Sequence, residues 1–266
     1  MHDTTCYLDG AFLPLSAARI SPLDRGFLFA DGAYEVIPVY SRYPFRMEEH
    51  LRRLQDSLDG IRLANPLSAE QWAAVIRRVI DEAPFDDQSL YLQITRGADK
   101  KRDQPFPKNV APTVFLFTAP LTQPTAQQRE NGVSAITVPD IRWGRCDLKT
   151  IALLPNILAR QQAVDAACTE AILIRQGHLI EGSASNIFIV RNGTLLAPPK
   201  DHQMLPGTTY DLVLELAAKH GAPHEVRPIT EAELRTADEV WMTSSTKEVL
   251  PITTLDGQPV GRGAHA

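Results

Sequence analysis

Residues 147–159 read Asp147-Leu148-Lys149-Thr150-Ile151-Ala152-Leu153-Leu154-Pro155-Asn156-Ile157-Leu158-Ala159. Lys149 stands apart from the other lysines of the chain. Lys100, Lys101 and Lys108 fall in a polar stretch, Lys200 in a turn, Lys219 at a helix end and Lys247 among hydroxyl residues. Only Lys149 leads into an apolar run. An ammonium in apolar surroundings loses hydration, which lowers its pKa and frees the amine for Schiff-base chemistry. The competing reading is a lysine whose stem packs while its head reaches water.

Two further features lie downstream. Glu181 closes His178-Leu179-Ile180-Glu181 and precedes Gly182-Ser183-Ala184-Ser185-Asn186. A carboxylate at a strand end, followed by small residues, can meet a ring or a cation at close range, although a lone Glu-Gly is more commonly a turn. Leu205-Pro206-Gly207-Thr208-Thr209 opens a helix, so its free N–H groups and positive dipole end suit an anion such as phosphate. Thr243-Ser244-Ser245-Thr246 adds hydroxyl donors at a second turn. Taken alone, Gly-Thr-Thr is also simply a good helix start.

Composition narrows the classes. The chain has 266 residues, 44% of them hydrophobic and 22% charged, with a net charge of −5. That balance opposes a dedicated nucleic-acid binder. No apolar run reaches the roughly 20 residues that span a bilayer. The start Met1-His2-Asp3-Thr4-Thr5-Cys6 lacks a signal-peptide pattern. Cys6, Cys146 and Cys168 are odd in number and far apart, which excludes a disulfide framework and suits a cytoplasmic protein. There is no P-loop, no dinucleotide fingerprint after a strand, no nucleophile elbow and no zincin helix. What remains is a lysine, a carboxylate and an organic cofactor.

Periodicity predicts an α+β protein of two domains, rich in antiparallel sheet. Asp9-Gly10 turns a hairpin, Met47–Ile61 is a helix with Leu51, Leu54, Leu58 and Ile61 on one stripe, and Ser68 with Gln71 is a capping box. Strands are expected at 36–40, 90–95, 113–118, 133–138, 171–174, 186–190 and 239–242. Reversals are expected at Gln176-Gly177 and Asn192-Gly193. A helix spans 207–220, and Thr230 with Glu233 caps a short one. Residues 119–131, polar and carrying two prolines, read as a linker between a smaller N-terminal α/β domain (1–118) and a larger sheet-rich C-terminal cofactor-binding domain (132–266).

Taken together, these segments resemble the fold-type IV pyridoxal-phosphate enzymes. The 147–159 stretch is similar to their cofactor-lysine segment, and Glu181-Gly182-Ser183-Ala184-Ser185-Asn186 to their E-G-x-x-S-N signature. Asp31-Gly32-Ala33-Tyr34-Glu35, His50-Leu51-Arg52-Arg53-Leu54 and Leu205-Pro206-Gly207-Thr208 also match, in family order over nearly the whole chain. Asp140-Ile141-Arg142-Trp143 before Cys146-Asp147-Leu148-Lys149 is most similar to D-amino-acid aminotransferases. Branched-chain L-aminotransferases and aminodeoxychorismate lyases are the neighbouring alternatives, and a catalytically silent binding protein of the same fold is the third.

The resemblance implies pyridoxal 5′-phosphate as cofactor. Lys149 would join it as a Schiff base and later shuttle the proton, and Glu181 would pair with the pyridine nitrogen. Arg53, Gly207, Thr208, Thr209, Ser245 and Thr246 would hold the phosphate. It further implies ping-pong transamination from a D-amino acid such as D-alanine to a 2-oxo acid such as 2-oxoglutarate, in a homodimer whose substrate loop reaches the neighbouring site. Tyr34 and Arg102 match the family's carboxylate-binding positions. Gln104 stands where the family has a His, and the loop is one residue longer, which opens the site to (R)-primary amines as well. Thr209-Tyr210 follows Gly207-Thr208 where an Arg is more usual, and the backbone N–H groups do the binding there.

Overall fold

The Asp9-Gly10 turn joins β1 (Thr5–Leu8) to β2 (Ala11–Pro14), with φ of 48° and 93° at the two turn residues. Left-handed values of this kind are what a two-residue hairpin loop demands. The computed structural model that begins with this hairpin describes residues 3–261. It divides into two units: residues up to Thr122 with Leu148–Ala152, and Gln123–Asp147 with Leu153 onward.

In the first unit the hairpin is followed by α1 (Arg25–Phe29), β3 (Gly32–Tyr40), β4 (Tyr43–Pro44), α2 (Met47–Gly60), α3 (Ala69–Asp81), β5 (Gln88–Thr95) and β6 (Thr113–Pro120). The strands form one antiparallel sheet in the order β2-β1-β6-β5-β3-β4. Leu54 and Leu58 of α2 and Trp72 and Ile76 of α3 close over Ile37, Leu90 and Leu92 of the sheet in a single core. The Ser68–Gln71 capping box starts α3 as the sequence predicts. β3 begins earlier than its apolar run suggested. It pairs with β5 from Gly32 to Val39, and a Cβ on Gly32 would collide with the Ile94 carbonyl oxygen.

The second unit contains α4 (Ala126–Asn131), β7 (Val133–Pro139), α5 (Leu154–Asp165), β8 (Glu170–Arg175), β9 (His178–Gly182), β10 (Asn186–Arg191), β11 (Thr194–Ala197), α6 (Thr208–His220), β12 (His224–Val226), α7 (Glu231–Arg235), β13 (Glu239–Ser244), β14 (Glu248–Leu255) and β15 (Gln258–Pro259). Its mixed sheet runs β12-β11-β10-β13-β14-β7-β8-β9, with β15 beside β14. β7 lies parallel to both neighbours. Gln176-Gly177 and Asn192-Gly193 turn two hairpins with positive φ at all four residues.

Three features depart from the sequence reading. The stretch expected as a linker, 119–131, holds the end of β6 and the helix α4, whose Thr125–Gln128 pair forms a complete capping box. Residues 148–152 cluster with the first unit although they come after the linker in sequence. α5 and β14 were not anticipated: α5 buries only Ala159 and Ala163, and β14 carries Pro251, which argues against a strand. No helix among the described residues is long and apolar enough to cross a membrane.

Leu92 is fully buried at the centre of the first sheet, paired with Glu35 on one side and Leu116 on the other. Leu92→Ala should lower the stability of the protein by about 2–5 kcal/mol, from lost burial plus the cavity left behind. Urea unfolding monitored by circular dichroism will measure it.

Candidate active site

Alternation along β3 turns Ala33 and Glu35 into the core and leaves Tyr34 on the opposite face. The segment carrying Lys149 runs alongside this strand. Tyr34 N donates to Lys149 O at 3.0 Å, Ile151 N to Gly32 O at 3.1 Å, and Ala33 bridges Thr150. Lys149 N donates to Ser57 Oγ of α2 at 3.0 Å. Leu148 packs so closely on Gly60 that a Cβ there would collide with its side chain. Lys149 is therefore fixed at its backbone, half-buried, with Nζ 4.3 Å from the centroid of the Tyr34 ring. Tyr34 in turn stacks on Tyr91 at 5.8 Å. The neighbour described for the amine is thus an aromatic face.

Arg53 lies on the buried stripe of α2 with His50, Leu54, Ser57 and Leu58. Its Nε and Nη2 grip Glu35 Oε1 and Oε2, each at 2.8 Å, and His50 Nδ1 lies 2.7 Å from Oε2. Burial works to raise the Glu35 carboxyl, but the charge and the fork of Arg53 overcome it and hold the pKa at about 2. Burial pushes the His50 imidazole down, with Glu35 partly offsetting it. Glu35 and His50 stand in matched motifs of the sequence, but the sequence assigns them no site role. The signal was present, since period-two alternation puts Glu35 inward and i, i+3 spacing puts His50 and Arg53 on one helix face.

Arg102 and Gln104 lie exposed in the loop between β5 and β6, with the Arg102 guanidinium 5.1 Å from the centroid of the Phe29 ring. Lys149, Arg53, Tyr34, Arg102 and Gln104 thus all belong to the first unit.

Glu181 is in the second unit, on β9 and 4% exposed. Arg142 Nη1 donates to its Oε1, Asn186 Nδ2 to its Oε2 at 3.2 Å, and Leu205 N to both oxygens at 3.3 Å. Asn186 also donates to Leu205 O at 2.9 Å, tying the two chain segments together. Arg142 is aimed by Asp140, which accepts its N, Nε and Nη2, and Asp140 takes a second arginine, Arg175, at 2.9 Å. Burial raises the Glu181 carboxyl, Arg142 pulls it back only in part, and the pKa settles at about 7. Behind this strand Glu170 accepts from Ser183 N and from the hydroxyls of Ser183 and Ser185, which folds the turn between Glu181 and Asn186. Arg142, Asp140 and Glu170 went unassigned from sequence, because nothing local marks which charged residues become buried.

Gly207, Thr208, Thr209, Ser245 and Thr246, five of the residues expected at a phosphate, also lie in this unit. Gly207 is the N-cap of α6 without a side-chain cap, and a Cβ there would collide with Asn186 Oδ1. First-turn N–H groups of a helix have no partner within the helix. Thr208 Oγ1 and Ser245 Oγ lie 3.3 Å apart, while Thr209 and Thr246 are half-buried beside them in sequence. This donor set suits an anion, and the buried Glu181 suits a basic ring nitrogen, so the residues present fit a phosphorylated pyridine.

The model of the family "Amino-transferase class IV" matches residues 32–255. A D-alanine aminotransferase of Bacillus licheniformis is 38% identical over 256 residues, covering 96% of this chain and 90% of that protein. Another, from Staphylococcus aureus strain MW2, is 36% identical over 258 residues, with coverage of 97% and 91%. Among solved structures, a T.th. branched-chain amino acid aminotransferase with pyridoxamine 5′-phosphate has a TM-score of 0.90 at 27% identity, covering 100% of this chain and 90% of that one. The branched-chain amino acid aminotransferase of Escherichia coli has a TM-score of 0.94 at 24% identity, with coverage of 100% and 90%, a likeness of fold. The chain belongs to the class IV aminotransferases.

The raised Glu181 pKa has a measurable sign. Between an unfolded value near 4.5 and a folded value of about 7, the native cofactor-free protein holds a proton that the unfolded chain has lost. Its contribution to stability is complete below the lower value and disappears as pH rises through the upper one. The difference in Tm between wild type and Glu181→Gln, measured on cofactor-free protein, should therefore change across pH 4.5–7 and level off above it.

Proposed function

We propose that this protein is a pyridoxal-5′-phosphate-dependent transaminase that takes the amino group of a D-amino acid, such as D-alanine, and passes it to a 2-oxo acid such as 2-oxoglutarate. The carrying observation is the presence, in a single chain, of a backbone-fixed Lys149 and a buried, arginine-paired Glu181. The identity of over a third to D-alanine aminotransferases along nearly the full length favours D-amino acids. The folds shared with branched-chain enzymes favour L-amino acids as the second reading.

When bound, pyridoxal phosphate supplies an electron sink for the bond broken at the substrate's α-carbon. Lys149 would hold the cofactor through Nζ, and its amine would serve as the general base for the proton on the substrate Cα. Glu181, kept close to Arg142, would pair with the ring nitrogen, and a cation there would draw its pKa back down and keep it charged. Gly207, Thr208, Thr209, Ser245 and Thr246 would donate to the phosphate, and Arg53, whose guanidinium Glu35 orients, would add a positive charge for it. Tyr34, Arg102 and Gln104 receive the donor carboxylate, with the neutral Gln104 amide in place of a group that can carry charge. The same loop tolerates (R)-primary amines.

Two further readings belong to this proposal. The protein is a homodimer: α5 leaves Leu154 (66%), Ile157 (59%) and Leu158 (48%) exposed, an apolar face suited to a second copy. It works in the cytoplasm, in keeping with three free thiols.

Purified protein supplied with pyridoxal phosphate should absorb as a bound chromophore and lose that band on adding D-alanine, with L-leucine and (R)-1-phenylethylamine run in parallel. Borohydride should leave a pyridoxyl group on Lys149, and Lys149→Ala should lower turnover by about 10³-fold or more. A colourless protein, or a Lys149→Ala variant with undiminished turnover, would overturn the assignment; a faster response to L-leucine would favour the second reading. Sedimentation should give twice the chain mass.

A further inference from the structure

Between β5 and β6, residues 96–112 contain no helix and only one bridge, Ala98 to Asp24. A connection of this length has backbone polar groups that the rest of the protein must answer if it is to hold one shape. Here one guanidinium answers three of them. Arg25, the first residue of α1 and 4% exposed, donates from Nη1 to Asp103 O at 2.6 Å and to Pro105 O at 3.3 Å, and from Nη2 to Gln104 O at 2.9 Å. Three successive peptides of the loop thus converge on a single side chain.

The guanidinium is itself held from behind. Its Nε donates to Asp31 Oδ2 at 2.8 Å, and Asp31 takes a second fork from Arg96, through Nε at 2.8 Å and Nη2 at 3.0 Å. Arg96 lies 3.7 Å from the centroid of the Phe106 ring, so the far end of the loop rests on the same assembly. Asp24 fixes the start of α1 by capping Gly26 N and accepting from Thr95 and Thr113 at the two ends of the loop. The Phe29 ring, one turn along α1, has the Arg25 guanidinium 4.9 Å from its centroid and that of Arg102 at 5.1 Å. Arg25 therefore touches the peptide that carries Gln104 and shares an aromatic support with Arg102.

We propose that Arg25 is a positioning residue for amino-donor specificity, holding the 103–105 peptides and, through Phe29, the Arg102 side chain in the geometry that receives the donor carboxylate. The inference rests on the reading of this loop as the carboxylate grip. Its own content is that the grip is set by a buried arginine that touches no substrate. Lysine cannot replace it: a compact ammonium has three donors and no plane, whereas four acceptors are arranged here around one planar fork.

Arg25→Lys, Arg102→Gln and the double variant test this, with three readouts: steady-state kinetics on D-alanine, affinity for pyridoxal phosphate, and hydrogen exchange of residues 99–106. Arg25→Lys should raise KM for D-alanine by roughly tenfold with kcat within about threefold, the pattern of lost ground-state positioning. Cofactor affinity should stay level, and exchange in the loop should quicken in the cofactor-free protein as well. Because Arg25 acts through the loop that carries Arg102 and Gln104, the double variant should raise KM by clearly less than the product of the two single effects, a non-additivity that two independent contacts would not give. Unchanged loop exchange in Arg25→Lys, multiplying KM effects, or a joint fall of kcat and cofactor affinity would each overturn the role of Arg25. The two levels separate cleanly. If Arg102→Gln raises KM and Arg25→Lys does nothing, the loop reading stands and the Arg25 inference falls. If Arg102→Gln leaves KM unchanged, the loop reading fails and the specificity role of Arg25 goes with it.

Discussion

A carboxylate removed from water has to be answered by a cation or by hydrogen-bond donors, or it takes up a proton instead. That constraint recurs at each chemically significant point of this protein. Glu35 is answered by Arg53, Asp31 by Arg25 and Arg96, and Asp140 with Glu181 by Arg142 and Arg175. Arginine is the partner throughout because its planar fork can satisfy both oxygens of a carboxylate, or one oxygen and a neighbouring carbonyl. Such pairs add little net stability compared with apolar packing, but they fix direction, and removing one partner strands the other. In the first unit they orient Arg53 and the loop bearing Arg102; in the second they aim one carboxylate.

The outcomes differ between pairs, and the difference is instructive. Glu35 has a complete fork and a histidine, and its pKa falls to about 2. Glu181 shares its arginine with Asp140 and receives only two weaker amide donors, so burial prevails and its pKa rises to about 7. One carboxylate is a permanent anion that serves as a strut. The other is short of positive charge, and a cationic ring nitrogen would complete it.

Backbone pairing does comparable work for Lys149. Three main-chain hydrogen bonds, two to β3 and one to Ser57, tie residues 149–151 to the first unit. Gly32 and Gly60 permit the close approach that these bonds and Leu148 require. The chain then returns to the second unit at Leu153. The excursion is short and has no strong local signal, which is why a division by composition assigns it to the C-terminal domain.

Local signals were legible wherever the chemistry is local. The Asp9-Gly10 hairpin, the capping boxes at Ser68 and Thr230, the helix stripe of α2 and the Gly207 start of α6 depend on residues a few positions apart, so the sequence alone determined them. It also singled out Lys149 and Glu181 and, through the order of its motifs, the family. α4 and its capping box escaped notice because Pro124 and polar neighbours resemble a linker, α5 because its buried face is two alanines, and β14 because of Pro251. The tertiary structure decided which charged residues lose water and which partners they find. Glu170 and Arg25 look ordinary in the sequence, and Arg142, Asp140 and His50 enter it only as parts of motifs without roles of their own, since burial and long-range pairing arise only when distant strands and loops come together.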